Sequence, residues 1–123
     1  MTNKQPTQTT DGYGTKYWAL NGKYHRENGP AIEWTDGSKQ WLINGKLHRT
    51  NGPAAEYTNG YKEWYLNDKL HRTDGPAIEW ESRYKEWWIN GKQYTKETYF
   101  QIAKQTFTKE QITTLTLKYY DEK

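Results

Sequence analysis

Tryptophan recurs along the chain every 23 residues, at Trp18, Trp41, Trp64 and Trp87. Each tryptophan lies in an apolar-containing run of about five residues that is bounded by turn residues, and such runs are typical of short β-strands. Self-similarity at a fixed period is the signature of a repeat architecture. The pattern therefore predicts three full repeats and a partial fourth, near residues 15–37, 38–60, 61–83 and 84–94.

Turn signals separate the predicted strands within every repeat. Asn-Gly occurs at 21–22, 44–45 and 90–91, and this dipeptide favours the type I′ turn of a two-residue hairpin. A second turn is marked by Asn-Gly-Pro or Asp-Gly-Pro, and a third by Thr-Asp-Gly or Thr-Asn-Gly. These spacings leave room only for short strands, so we expect an antiparallel meander over residues 13–94.

The hairpin register follows from the length of the turn. A two-residue loop at 44–45 places Trp41 opposite His48 and Leu42 opposite Leu47. Cross-strand pairs of this kind stabilise a sheet by about 0.2–1 kcal/mol each, so we interpret the repeated histidines and tryptophans, Trp87 included, as structural. The same rule pairs Trp18 with His25, Trp64 with His71, and Glu63 with Arg72.

The pattern changes after residue 94, where two segments have helical character. Thr95 is a candidate N-cap for a helix over 95–105, and Thr108 with Gln111 forms a capping-box pattern for a helix over 108–120. One face of the second helix consists of Ile112, Leu115 and Tyr119. We expect residues 95–123 to form a helical cap over the last strand, and the polar residues 1–12 to be disordered.

Composition narrows the class of protein. Hydrophobic residues make up 33% and aromatic residues 16% of the 123 residues, so a core must be built mostly from aromatic rings. The net charge of +3 is too balanced to indicate nucleic-acid binding by itself. Cysteine is absent, which excludes disulfides and thiolate chemistry. No apolar leader or membrane-length apolar run is present, so we expect a soluble, cytoplasmic protein.

The motif formed by Trp41, Asn44, Gly45, Lys46 and His48, with its equivalents in the other units, resembles the MORN repeat. The arginine after each histidine and the Gly-Pro-Ala segment depart from MORN units. With them, the chain resembles more closely the Trp-x-Leu-Asn-Gly-Lys-x-His-Arg-x-x-Gly-Pro-Ala repeat proteins of bacteriophages and large DNA viruses. The resemblance implies a mainly β fold, a single-layer curved meander of hairpin repeats, and roles in scaffolding or in protein or lipid contact. It also implies a phage accessory protein that binds and inhibits a bacterial host protein, in an anti-defence or anti-CRISPR-like role.

The repeated histidines are the first candidates for a metal site, but their spacing argues against one. Strands lie ~4.8 Å apart, so equivalent side chains in successive repeats lie about 10–14 Å apart, whereas metal ligands lie about 2 Å from the ion. A His–Glu acid–base pair with Glu33, Glu56 or Glu79 would occur in every repeat, and an enzyme normally has one active site. We therefore expect no metal, no cofactor and no catalysis.

The two faces of the first strand in each repeat vary to different degrees. Lysine, tryptophan and leucine or isoleucine recur on one face, which indicates an architectural role. The other face changes from repeat to repeat and is richest in aromatic residues in the C-terminal half. By the predicted register it also receives Arg26, Arg49 and Arg72. On this variable face we predict a partner-binding surface made by Tyr61, Tyr65, Arg72, Tyr84 and Trp88.

Tyrosine, tryptophan and arginine are the residues enriched in interface hot spots. The sequence therefore favours a non-catalytic module that binds a protein partner, a bacterial host protein by the resemblance. The competing structural interpretation is that these rings pack on each other or under the terminal helices. The alternative function is binding of an anionic ligand (a nucleotide, a single-stranded nucleic acid or a lipid headgroup) through arginines and aromatic residues on one face.

Overall fold

The computed structural model describes residues 4–119, and these form fourteen β-strands followed by two α-helices. The first seven strands are β1 (Thr7–Thr10), β2 (Lys16–Leu20), β3 (Lys23–Tyr24), β4 (Ile32–Glu33), β5 (Lys39–Gln40), β6 (Leu42–Ile43) and β7 (Lys46–Leu47). The next seven are β8 (Ala55–Glu56), β9 (Lys62–Glu63), β10 (Tyr65–Leu66), β11 (Lys69–Leu70), β12 (Ile78–Glu79), β13 (Lys85–Ile89) and β14 (Lys92–Tyr94). The helices are α1 (Lys96–Thr106) and α2 (Lys109–Tyr119). The mainly β antiparallel meander of hairpins with a C-terminal helical cap is confirmed.

The main sheet is one antiparallel ladder in the order β1-β2-β4-β5-β8-β9-β12-β13-β14. Lysine and glutamate face each other in every repeat, and the register of this pairing does not change along the sheet. Opposite-charge pairs directly across two strands stabilise a sheet. Across the sheet the directly opposed residues alternate in charge, in the order Lys16, Glu33, Lys39, Glu56, Lys62, Glu79 and Lys85.

Each repeat's first strand runs on from the main sheet into a hairpin. Leu42 pairs with Leu47, and the His48 N–H donates to the Trp41 carbonyl at 3.0 Å, which confirms the predicted register. Asn44 and Gly45 form the turn at φ 51° and 77°. Positive φ at both central residues is the requirement of a type I′ turn, and Asn-Gly meets it at little steric cost.

Successive hairpins are bonded to one another at their tips. The Gly45 N–H donates to the Tyr24 carbonyl of the preceding hairpin at 2.8 Å. Gly91 makes the equivalent bond to Leu70 at 2.8 Å. The hairpins therefore form a second row of hydrogen bonds beside the main sheet, and each repeat is attached to the next along its whole width.

Alternation along the strands gives the sheet two chemically different faces. We call one the tryptophan face; it carries the lysine–glutamate row and the repeated tryptophans. The hairpin lysines oppose Leu20, Ile43, Leu66 and Ile89 and belong to the same face; they are Lys23, Lys46, Lys69 and Lys92. The opposite face, which we call the variable face, carries Tyr17, Ile32, Gln40, Ala55, Glu63, Ile78 and Glu86 in one row across the ladder.

The buried core is divided into two small clusters. One, in the first two repeats, contains Ala31, Ile32 and Leu42. The other joins the helices to the tryptophan face of the last repeat and contains Trp87, Tyr99, Ala103, Leu115 and Tyr119. Both helices therefore cover the tryptophan face, which leaves the variable face beside them uncovered by any element among residues 4–119.

The predicted helix caps are confirmed by their hydrogen bonds. The Thr95 side chain accepts the Thr98 N–H at 3.1 Å. The Gln111 N–H donates to Thr108 Oγ1 at 3.1 Å, and the Thr108 N–H donates to Gln111 Oε1 at 2.9 Å. This reciprocal pair is a complete capping box. Neither helix in the described part of the chain is long and apolar enough to cross a membrane.

Two predictions about local structure are wrong. Within the segment predicted to be disordered, Thr7–Thr10 forms a strand paired with β2; residues 1–3 lie outside the described residues. The Arg72 N–H donates to the Trp88 carbonyl of the next repeat at 3.2 Å, so Arg72 does not oppose Glu63. The chain leaves its own hairpin after His71 and joins the neighbouring one, which a rule for isolated hairpins does not anticipate.

Candidate functional site

Each repeat's arginine stacks on the tryptophan of the same repeat. The guanidinium carbon of Arg26 lies 3.8 Å from the ring centroid of Trp18. The distances are 3.8 Å for Arg49 over Trp41 and 3.7 Å for Arg72 over Trp64. The arginines therefore lie on the tryptophan face, where cation–π attraction holds them, and not on the variable face as predicted.

The Gly-Pro that follows each arginine completes this unit. Arg49 Nη1 donates to the Pro53 carbonyl at 3.0 Å, and a Cβ at Gly52 would lie 2.8 Å from the Arg49 guanidinium carbon. The equivalent distances at Gly29 and Gly75 are 2.9 and 2.7 Å. Glycine therefore lets the arginine pass directly over the backbone, a larger residue would displace the guanidinium, and the proline carbonyl fixes the guanidinium in this position.

The ion pairs of the arginines increase in number along the chain. Arg49 Nη1 lies 3.4 Å from Glu56 Oε1. Arg72 Nε lies 2.7 Å from Asp74 Oδ1, and its Nη1 lies 3.4 Å from Glu79 Oε1. Arg72 is only 8% exposed. Its hydrogen-bonding groups are thus committed to the fold, which argues against the role in partner contact predicted from the sequence.

The histidines connect one repeat to the next. His25 Nδ1 accepts the N–H of Asn44, the first turn residue of the following hairpin, at 3.0 Å. His48 and His71 do the same for the next two turns, at 3.1 and 3.0 Å. Each histidine side chain is therefore engaged by the neighbouring turn, where the sequence predicted a contact with the tryptophan across its own hairpin. No group of three or more His, Cys, Asp or Glu in residues 4–119 could hold a metal ion.

The cap replaces the missing arginine of the fourth repeat. Tyr94 pairs with Trp87 where a histidine would lie, and Thr95, at the arginine position, begins α1. Tyr99 and Tyr119 pack on Trp87, with ring centroids 4.9 and 5.5 Å away. The Tyr99 hydroxyl donates to the Arg72 carbonyl at 2.6 Å, so the cap is joined to the last complete repeat.

On the variable face, two carboxylates are each flanked by aromatic side chains. The Tyr61 and Tyr65 hydroxyls donate to Glu63 Oε2 at 2.8 and 3.2 Å. One repeat on, the Tyr84 hydroxyl donates to Glu86 Oε2 at 2.7 Å, and Trp88 Nε1 donates to Glu86 Oε1 at 2.9 Å. We call these six residues the acidic aromatic patch: Tyr61, Glu63, Tyr65, Tyr84, Glu86 and Trp88.

The environment of the patch shifts the pKa values of its tyrosines. Burial raises the pKa of Tyr65 to about 12, with the Glu63 charge as the second cause. Burial and the hydrogen bond to Glu63 also raise the pKa of Tyr61. The hydrogen bond to Glu86 raises the pKa of Tyr84, which is 52% exposed. The hydroxyls therefore stay protonated at neutral pH and keep donating to the carboxylates.

The tryptophan face has open clefts between repeats. One of about 650 Å³ is lined by Arg49, Trp64, His71 and Arg72, with Thr108 at the start of α2 on its far side. A related cleft of about 480 Å³ occurs one repeat earlier, where no helix is present. These clefts come from the repeat geometry, and their arginines are already engaged by the fold.

The structure brings together four of the five predicted partner-binding residues: Tyr61, Tyr65, Tyr84 and Trp88. It separates Arg72 from them by placing it on the opposite face. The alternation along the strands predicts Glu63 and Glu86 on this face as well, but neither was among the predicted partner-binding residues. Their signal was present as aromatic-x-Glu-x-aromatic at 61–65 and again at 84–88.

No protein-family model, curated protein or solved structure matches the chain. The resemblance to MORN repeats rests on the quoted motif and stays a prediction.

Proposed function

We propose that this protein is a non-catalytic binding module that recognises another protein through the acidic aromatic patch. The observation that carries the proposal is the position of this patch on a face that neither helix covers. Tyr84 is exposed there, and the other five residues of the patch are half-buried. Tyr84 is 52% exposed, and Trp80, which packs against Tyr61 in a tilted arrangement with ring centroids 3.9 Å apart, is 39% exposed. Large rings of this kind supply most of the binding energy in protein interfaces.

The rigidity of the patch supports the same function. Four of its six side chains extend from paired strands, Tyr61 and Tyr84 directly precede β9 and β13, and each carboxylate is oriented by two donors within 3.2 Å. Side chains that are ordered before binding lose less entropy when a partner docks. A repeat-built sheet therefore offers a pre-organised surface of fixed spacing.

The partner we propose is the one the viral resemblance implies, a bacterial host protein whose activity is inhibited by binding. That step rests on analogy between repeat motifs. It is tested by capturing proteins from a bacterial lysate with the tagged chain, and then measuring the affinity and the activity of the captured protein.

The decisive experiment compares alanine substitutions at Tyr61, Tyr65, Tyr84 and Trp88, each checked for folding by circular dichroism. We expect Tyr84→Ala and Trp88→Ala to cost about 2 kcal/mol or more in binding, roughly a 30-fold loss of affinity. Tyr13→Ala is the matched control, because Tyr13 is 88% exposed and lies outside the patch. Wild-type affinity in all four folded variants would show that recognition lies elsewhere.

A second candidate function, binding of an anionic ligand, is favoured by the charge of the tryptophan face. That face carries every lysine of the paired strands from β2 to β14, together with the three stacked arginines. Binding of a nucleic acid there would weaken steeply as salt rises, because counterions are released on association. Binding of a protein to the aromatic patch would depend much less on salt, so a titration at two salt concentrations separates the candidates.

A further inference from the structure

The charges of the sheet are segregated by face. Within the paired strands from β2 to β14, all lysines project from the tryptophan face, in register with glutamates or with apolar hairpin residues. The charged residues of the variable face in these strands are Glu63 and Glu86. The acidic aromatic patch is therefore a negatively charged surface on a chain whose net charge is +3.

The two carboxylates have a defined spacing. Glu63 and Glu86 both pair with Ile78, from opposite sides of β12. Two strand spacings separate them, which corresponds to about 10 Å. Ile78 is 7% exposed and forms the floor between them, and the flanking rings extend along the strands on either side.

Neither carboxylate is neutralised by a cation among residues 4–119, since the ion pairs there involve other acids. Each accepts hydrogen bonds from neutral donors instead, two from tyrosines at Glu63 and one each from Tyr84 and Trp88 at Glu86. A carboxylate has about four lone-pair positions, so both can accept further donors. Oriented carboxylates between aromatic rings match a guanidinium. Its N–H groups pair with the carboxylate, and its flat face stacks on an aromatic ring.

We infer that the acidic aromatic patch binds a basic polypeptide segment of the partner, with two cationic side chains about 10 Å apart that pair with Glu63 and Glu86. This inference rests on the proposed function and adds the chemistry of the occupant. An acidic segment does not fit, because its charge would repel the two carboxylates. A purely apolar segment does not fit either, because it would remove water from the carboxylates without supplying a hydrogen-bond donor.

The probe that tests the inference is a nine-residue glycine–serine peptide with two arginines three residues apart. In an extended polyproline-like chain of ~3.1 Å per residue, this places the arginines about 9 Å apart. A matched peptide carries citrulline, which is neutral and has nearly the same shape, in place of each arginine. The readout is the indole N–H resonance of the full chain labelled with ¹⁵N.

Trp88 and Trp41 serve as internal reporters of the two faces. Trp88 Nε1 donates to Glu86, so a cation bound at Glu86 shifts its resonance, whereas Trp41 lies under Arg49 on the tryptophan face. We expect the arginine peptide to shift Trp88 and leave Trp41 unchanged, and the citrulline peptide to shift neither.

The variants are charge-neutral substitutions that keep an oxygen acceptor for the flanking donors. The double variant Glu63→Gln and Glu86→Gln should lower the affinity for the arginine peptide about tenfold or more. Glu33→Gln is the control, since it removes the same charge from the tryptophan face. Wild-type affinity in the double variant, or no shift of Trp88 by the arginine peptide, would overturn the inference.

Failure of the inference can be told apart from failure of the proposed function. An equal shift of the Trp88 resonance by both peptides would show that the patch binds polypeptides without a preference for cations. That result would contradict the inference and leave the proposed function standing. A thymidine oligonucleotide that shifts Trp88 would likewise contradict a cationic occupant. The proposed function itself fails only if the alanine variants of the patch retain full affinity for the captured protein.

Discussion

At the residue scale, the arginines form a graded series within one sequence. All three stack on a tryptophan and donate to a proline carbonyl, at 3.1, 3.0 and 3.0 Å. Within the described residues, Arg26 has no carboxylate in ion-pair range, Arg49 has one and Arg72 has two. The same motif is therefore expected to contribute a different amount to the free energy of unfolding in each repeat.

Alanine substitution of each arginine should reveal this gradient in the free energy of unfolding. We expect a loss of about 1 kcal/mol for Arg26→Ala, where a stack and one hydrogen bond are removed. For Arg72→Ala we expect about 3 kcal/mol, because Glu79 loses its cation in a largely buried site. Urea denaturation measures the series, with Arg49→Ala between the two. Equal losses would show that the carboxylates contribute nothing.

His71 should make stability depend on pH. Burial lowers the pKa of His71 below its ordinary value of 6.5, and protonation of Nδ1 removes the acceptor for the Asn90 N–H. Since the folded pKa lies below the unfolded one, His71's contribution to stability is complete above 6.5. It is lost as pH falls from 6.5 through the folded pKa.

The measurement compares wild type with His71→Ala in urea at several pH values between about 7.5 and 5. We expect the variant to lose less stability than wild type over this range, although it is less stable at neutral pH. The carboxylates titrate in both proteins and cancel in the difference. Parallel pH curves for the two proteins would contradict the prediction.

At the element scale, α2 attaches to the repeats through one face. Leu115 is fully buried and Leu117, two residues later, is 84% exposed. Tyr119 on the same attached face donates its hydroxyl to Glu79 at 2.7 Å. The helix therefore takes part in the fold as the replacement for a further repeat.

These two leucines offer a matched pair of substitutions in one helix. Leu115→Ala should lower the free energy of unfolding by about 2–3 kcal/mol, because it leaves a cavity against Trp87 and its neighbours. Leu117→Ala changes the same residue type at an exposed position and should stay within about 0.5 kcal/mol of wild type. Chemical denaturation followed by tryptophan fluorescence checks both. Similar losses would mean that α2 is not attached as described.

At the scale of the whole molecule, the fold is a series of equivalent joints between repeats. Each joint uses a histidine to cap the next turn, a tip-to-tip backbone bond and a lysine–glutamate register. In such arrays, stability is approximately a sum of repeat and neighbour terms. A repeat can therefore be added without disturbing the cap.

Duplicating residues 38–60 in tandem should give a folded monomer with one additional repeat. The denaturant dependence of unfolding should increase, because m scales with the surface exposed on unfolding, and the midpoint should not fall. Size-exclusion chromatography and urea denaturation measure both outcomes. Aggregation, or a midpoint below that of the wild-type chain, would show that the joints are not interchangeable.

The sequence alone was sufficient for the local features of the fold. The Asn-Gly turns, the register at Leu42 and Leu47, and the capping box at Thr108 depend on neighbours within a few residues. Local backbone preferences decide them, and these are written directly in residue types and spacings. The unbroken 23-residue period then extended one hairpin to the whole array.

Only the tertiary structure decided what depends on contacts between repeats. Arg72 was predicted to lie on the variable face by extension of the hairpin register, but its backbone leaves the hairpin after His71 and bonds to the next repeat, and its guanidinium lies over Trp64. The polar β1 carries no hydrophobic signal; its residues pair with β2, and the Asp11 side chain in the connecting turn accepts the Tyr17 hydroxyl at 3.1 Å. Each Glu with its flanking rings is local, at 61–65 and at 84–88, but the union of the two groups into one patch required the tertiary structure, because Glu63 and Glu86 meet only across Ile78 of β12.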